Sequence, residues 1–348
     1  MNVTFLIGNG FDLGIGLKTA YSDFYNVYCK SDSNDSLAVK KFKSEIQGNY
    51  ENWSDFEAAF GEYAGQALDA DCYLKVFEDF EVEFSDYLRN EEKNFDNSKI
   101  ELIAEKMKTA LISYYDIRPA DREALVKSIN GRLATFNFIS FNYTKCLDEC
   151  IGILRRQPNY VNSIRGNIQK TVHVHGYTEE NMILGVNDET QIKSEILAKN
   201  EEVVEEIVKP VQNQIARMNY DNDATRIIRG SDIICVYGMS IGETDKKWWE
   251  LVMNWLQESS ANRLVILQHR ENARFTFNWN RLVKEVRRRL FSYGNVPDEK
   301  RKTLEQRIHI AVNHDIFAMK LRKQPSQAVQ DAVVQDAVLD VNKLLSIR

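Results

Sequence analysis

Short apolar runs bounded by turn residues alternate along this chain with stretches whose apolar residues recur every three or four positions. The short runs predict strands at residues 3–7, 135–141, 171–175, 232–238, 263–269 and 308–312. The longer pattern predicts amphipathic helices at 55–68, 73–89, 100–115, 145–154, 243–256 and 280–290. Strands alternating with helices predict an α/β fold, a Rossmann-like, doubly wound, mainly parallel sheet. More than a hundred residues separate the first two strands without a third, so 21–130 is expected as a mainly helical insertion with polar joints at 30–36 and 90–99. The expected α/β domain then comprises 1–20 and 131–320. A helical tail is expected at 321–348, with its helix at 328–345. The acidic stretch 187–206 is expected to be a mobile segment beside the site.

Composition narrows the class. The 348 residues carry 45 Lys or Arg against 51 Asp or Glu, a formal charge of −6, too acidic for a general nucleic-acid coat. Hydrophobic residues make up 43% and charged residues 28%, which excludes intrinsic disorder. No apolar run approaches the ~20 residues that span a bilayer, and the opening segment lacks the basic region of a signal peptide. Cys29, Cys72, Cys146, Cys150 and Cys235 form no CxxC pair, as expected of free thiols in a reducing cytoplasm.

Four predicted strands end in small or polar residues, and in an open parallel sheet such ends converge on one ligand crevice. The first runs into Gly8-Asn9-Gly10-Phe11-Asp12. Its glycines allow backbone N–H groups to approach a phosphate at a helix N-terminus, although the next glycine, Gly14, falls one place late for a dinucleotide fingerprint. Asp12 is read either as a cap of the following helix or as a ribose ligand. The second runs into Asn142-Tyr143-Thr144, where Asn142 orients a water or ribose, or else caps a helix. The third ends at His175-Gly176. Strand alternation puts His173 and His175 on one face; His175, at the end, is the candidate general base, and His173 is an interior, hydrogen-bonded histidine. HxH is also a metal pattern, but His269, His309 and His314 offer no local ligand spacing, so no metal is expected. The fourth strand runs into Gly238-Met239-Ser240-Ile241-Gly242. This matches the GxSxG nucleophile elbow, so a serine hydrolase pairing Ser240 with Asp245 or Asp315 and with His269 or His314 is the rival reading. Residues 270–302 hold ten basic side chains against four acidic ones; Arg287, Arg288 and Arg289 there are candidates for nucleic-acid contact.

The run Phe5 to Asp12, the segment Gly16 to Phe24, Trp53-Ser54-Asp55-Phe56-Glu57, Phe141 to Thr144, His175-Gly176 and Gly238-Met239-Ser240 with Asp245 together resemble the phage abortive-infection family AbiH, from residue 1 to about 255. Their order is also similar to that of sirtuin-like domains in bacterial defence proteins. That resemblance implies NAD as substrate, Asn142 and His175 as the catalytic pair, and Gly8, Asn9, Gly10, Phe11, Asp12, Tyr143, Gly238, Ser240 and Asp245 near the dinucleotide. The zinc-binding cysteines of deacetylases are missing, which argues against protein deacylation. The implied activity is hydrolysis of the nicotinamide glycosidic bond by an abortive-infection toxin. A nucleotide-binding sensor without turnover is a further alternative. The expected partners are NAD or a related dinucleotide, a phage-derived trigger and a second copy of the chain.

Overall fold

The computed structural model describes residues 1–30, 35–129, 131–156, 166–217, 219–269 and 276–314. The tail helix expected at 328–345 and the rival triad's Asp315 lie outside the described residues. Six strands, β1 (Asn2–Ile7), β2 (Ala134–Ser140), β3 (Gly166–His173), β4 (Ile233–Tyr237), β5 (Arg263–Gln268) and β6 (Ile308–Val312), form one sheet in the order β3-β2-β1-β4-β5-β6. Every pairing is parallel. The strand order reverses between β1 and β4, the position where doubly wound sheets open a crevice beyond their carboxyl ends.

Alternation along β1 explains its central place. Val3, Phe5 and Ile7 pack on one face with α6 (Ile100–Ser113) and α8 (Cys146–Arg156). Leu6 packs on the other face with α11 (Tyr220–Arg229), α12 (Lys246–Glu258) and α13 (Thr276–Tyr293). A strand buried on both sides reads as a continuous apolar run, as Val3-Thr4-Phe5-Leu6-Ile7 nearly does. The strand expected at 171–175 begins earlier and stops at His173. Gly176 turns the chain there with φ +65°, and the Ile183 N–H returns to the His175 carbonyl at 2.9 Å. A side chain at Gly176 would lie 1.8 Å from the Asn181 carbonyl oxygen.

A third apolar cluster stands apart from both sheet faces. It is built by α2 (Tyr21–Tyr28), α3 (Leu37–Gly48), α4 (Phe56–Tyr63) and α5 (Ala70–Lys93), with Phe56 stacked on Phe80 at a centroid separation of 3.5 Å. On α5 the buried Tyr73, Val76, Phe77, Phe80, Phe84 and Leu88 follow helical spacing, and the Asp69 carboxylate caps the helix at the Cys72 N–H, 2.8 Å away.

Packing redraws the expected insertion in two respects. The helix α6, inside 21–130 by sequence, belongs to the sheet's own cover, because Ile103, Ala104, Met107 and Leu111 face the strands. Conversely Leu184, Val186, Ile192, Leu197, Val203 and Ile207 join the aromatic helical cluster from about ninety or more residues beyond the end of α5. The stretch 187–206, expected to be mobile, is therefore folded. It forms single turns at Glu189–Gln191 and Leu197–Lys199 and then enters α9 (Glu201–Ile207), capped by the Asn200 side chain. Its glutamates face outward while Ile192, Leu197 and Val203 are buried. The described part is completed by α1 (Gly10–Ile15), α7 (Pro119–Ile129), α10 (Lys209–Ile215) and α14 (Asp298–Glu305). No described helix is long and apolar enough to cross a membrane.

Candidate active site

A cavity of about 600 Å³ opens beyond the carboxyl ends of β1, β2, β4 and β5. The helical layer covers it with Tyr21, Asp55, Glu57 and Phe84. Gly8, Asn9, Gly10, Asp12, Asn142, Tyr143, His175, Gly238, Ser240 and Asp245 all line it. Phe11 does not. It is fully buried with the sheet-face cluster, because the first turn of α1 directs it into the core.

The glycines have a different task from the one their motif implies. The Gly8 N–H donates to the Tyr237 carbonyl at 2.9 Å and the Gly10 N–H to the Gly238 carbonyl at 2.8 Å, while the Phe11 N–H returns to Gly8 at 2.9 Å. The loops after β1 and β4 are thus locked backbone to backbone. A Cβ at Gly10 would lie 2.5 Å from Gly238 Cα, and one at Gly238, where φ is +67°, would lie 2.7 Å from Gly10 Cα. These amides serve the protein rather than a phosphate. Asn9 is likewise engaged: its amide donates to the Thr19 carbonyl at 2.9 Å and its oxygen accepts the Thr19 hydroxyl.

Asp12 neither caps α1 nor points at solvent. Its carboxylate accepts the Asn142 amide at 3.0 Å and the Thr144 hydroxyl at 2.7 Å, tying α1 to the loop after β2. Burial pushes its carboxyl up to about 7, against the pull of those two hydrogen bonds. The Asn142 carbonyl in turn meets His173 Nδ1 at 3.0 Å, and His173 Nε2 meets Asp148 at 2.7 Å. His173 is accordingly the interior, fully bonded histidine expected from the strand pattern. Asn142 caps no helix, since α8 begins at Cys146. Its Oδ1 is buried without a hydrogen-bond partner among the described residues, and the residue borders the cavity.

His175 lies beyond the strand end and is packed edge-on to Phe141 at 5.6 Å. Its ring bonds the Phe141 backbone carbonyl. Burial holds its imidazolium well below the usual histidine range, and Lys209 adds to that effect. One ring N–H on a carbonyl and a neutral ring leave the second nitrogen as an acceptor. Nε2 is 3.6 Å from Asp245 Oδ1, a buried oxygen without a hydrogen bond among the described residues. Lys209 stands 3.8 Å from the same oxygen and 2.8 Å from Glu57. Burial raises the Asp245 carboxyl despite Lys209. Tyr143 completes this wall, its hydroxyl donating to the Ile183 carbonyl at 3.2 Å.

Among the described residues the elbow that the rival reading requires does not form. Ser240 is exposed at the rim, and five residues separate the end of β4 from the turn Glu243–Asp245 that precedes α12, so the sharp strand-to-helix elbow is absent. No hydrogen bond joins Ser240 to His175 or His269 there. The basic segment is also partly internal. Arg287 donates to the carbonyls of Glu305 and Ile308 at 3.2 and 3.3 Å. Arg289 reaches the Ile241 carbonyl at 3.3 Å, pairs with Glu285 and borders the cavity; Arg288 is exposed. Among the described residues no group of three or more His, Cys, Asp or Glu side chains is arranged to hold a metal ion.

Sequence reading gave no role to Glu57, Thr144, Asp148 or Lys209. Glu57 had a signal in the Trp53 to Glu57 motif. Lys209 had none, because nothing local marks a lysine before Pro210 as interior. No curated protein matches the chain. A family model described as bacteriophage abortive infection AbiH matches residues 4–267, a span that contains the β1 and β4 loops, Asn142, His175 and Asp245, and the chain belongs to that family.

Proposed function

We propose that the cavity hydrolyses the nicotinamide–ribose bond of NAD or a close relative, and that this chemistry is the effector step of abortive infection. Family membership supports a role in bacteriophage abortive infection. The observation carrying the finer reading is the neutral, buried His175 beside the Asp245 oxygen that accepts no hydrogen bond among the described residues, near the strand-order reversal. A volume of about 600 Å³ suits a ligand of dinucleotide class.

Nicotinamide departs with the bonding electron pair, neutralising its ring charge and leaving an oxocarbenium-like ribose. Water attacks the anomeric carbon, and His175 accepts the proton that water loses. The products are nicotinamide, ADP-ribose and one proton. Asp245 and Glu57 border the cavity and favour the cationic ribose in a site of low dielectric. With the loop amides of Gly8 and Gly10 engaged, Arg289 is the arginine at the cavity wall for a pyrophosphate to meet. The test is incubation of the purified chain with NAD and chromatographic measurement of nicotinamide and ADP-ribose. Stoichiometric release of both is expected; an unchanged NAD peak at high protein concentration contradicts the reading.

A further inference from the structure

Lys209 is an unusual placement for a lysine. It is 5% exposed, so water cannot neutralise its ammonium, and it sits in the first turn of α10, where the helix dipole disfavours a cation. What holds it is tertiary. Glu57 Oε2 on α4 lies 2.8 Å away, Asp245 Oδ1 ahead of α12 lies 3.8 Å away, and Asp55, the cap of α4, adds its charge from farther off. These carboxylates outweigh burial and raise the lysine above its ordinary range. Glu57 is also fixed from its other oxygen by the Gly185 N–H at 3.4 Å. The cluster thus joins two chain segments of the helical layer to the loop that carries Asp245.

We infer that Lys209 is a positioning residue of this site, the common counter-ion that draws Glu57 and Asp245 together beside His175. A stabilising role alone would not require an ion, since buried pairs are often replaced by apolar side chains without loss. A lysine serves here because it orders two carboxylates facing the cavity and, by its charge, keeps the nearby imidazole free of a proton. The titratable and charged groups facing His175 are Asp245, Lys209, Lys247 of α12, His173 of β3 and Tyr143.

The test uses the full chain with labelled histidine, the His175 resonance being assigned by its loss in His175→Gln. In Lys209→Met the His175 titration midpoint is expected to rise by about one pH unit or more, the ordinary effect of removing a close like charge. Lys209→Arg keeps the charge and should titrate near wild type. If Lys209→Met does not fold, Glu57→Gln combined with Lys209→Met removes both halves of the pair, and the same rise is expected. A second readout rests on the proposed hydrolysis. Deprotonation of both His175 and Asp245 becomes harder without the lysine, so the acid limb of nicotinamide release should move to higher pH by a similar amount. A folded variant without Lys209 whose His175 titrates as in wild type overturns the inference. Absence of nicotinamide release from wild type overturns the hydrolysis reading, while the titration still decides the role of Lys209.

Discussion

Two polar networks flank the loop after β2, and they are built on opposite terms. In the deeper one, Asp12, Asn142, Thr144, His173 and Asp148 are joined by hydrogen bonds of 2.7–3.0 Å. In the outer one, His175, Asp245 and Lys209 stand 3.6 and 3.8 Å apart, and the Asp245 oxygen accepts no hydrogen bond among the described residues. Histidine and aspartate occur in both. A saturated network has no capacity left for a ligand and acts as a rigid support. An unsaturated one, held in place by the ion pairs of one lysine, retains acceptors that a reacting molecule can use. Two histidines only two positions apart in sequence therefore sit in networks of different saturation, and Asn142 sits on the boundary, its amide committed inward and its Oδ1 without a hydrogen bond among the described residues.

The largest stability effect should come from the backbone lock beneath both networks. Gly238→Ala places a Cβ against Gly10 Cα and forces a left-handed conformation on alanine. The expected cost is roughly 2–5 kcal/mol, from strain and overpacking together, read by denaturant unfolding. A loss below about 0.5 kcal/mol would mean that the two loops are not locked. Next, His173→Ala should cost roughly 2–4 kcal/mol by emptying a buried site and orphaning the Asn142 carbonyl; near-wild-type stability would break the distinction between the two networks. The smallest effect concerns pH. The Asp12 carboxyl is raised to about 7 in the fold, so the protonated form is favoured in the native state. Its contribution is fully present below its unfolded value near 3.9 and is lost as pH rises through about 7. Asp12→Asn should flatten the decline in melting temperature between pH 4 and 8. An unaltered slope would exclude Asp12 as its source.

Much of this architecture is legible locally. Five of the six strands follow from apolar runs, because a parallel sheet covered on both faces demands them; the half-exposed edge strand β3 is mostly polar and begins five residues ahead of its apolar run. His173 and His175 separate by alternation and by the glycine that follows. The glycines of the β1 and β4 loops are visible too, but their purpose is not: whether Gly10 approaches a phosphate or Gly238 depends on how two loops over two hundred residues apart meet. The outer network is the least legible part. Glu57 borders the cavity and meets Lys209 there only because Leu184, Val186 and Ile207 pack into the aromatic helical cluster, and no periodicity encodes that docking. The stretch 187–206 misleads for a related reason, since its charge conceals four apolar residues, Ile192, Leu197, Val203 and Val204, that bind it to the helical layer.

The measurement closest to the central claim is nicotinamide release by His175→Gln. Glutamine keeps most of the buried volume and can still donate to the Phe141 carbonyl, so the fold and its melting temperature should be retained. Removing a positioned general base typically lowers the rate by ~10²–10⁴-fold, and a fall of that size at saturating NAD is the predicted result. A folded His175→Gln protein that releases nicotinamide at the wild-type rate would contradict the account.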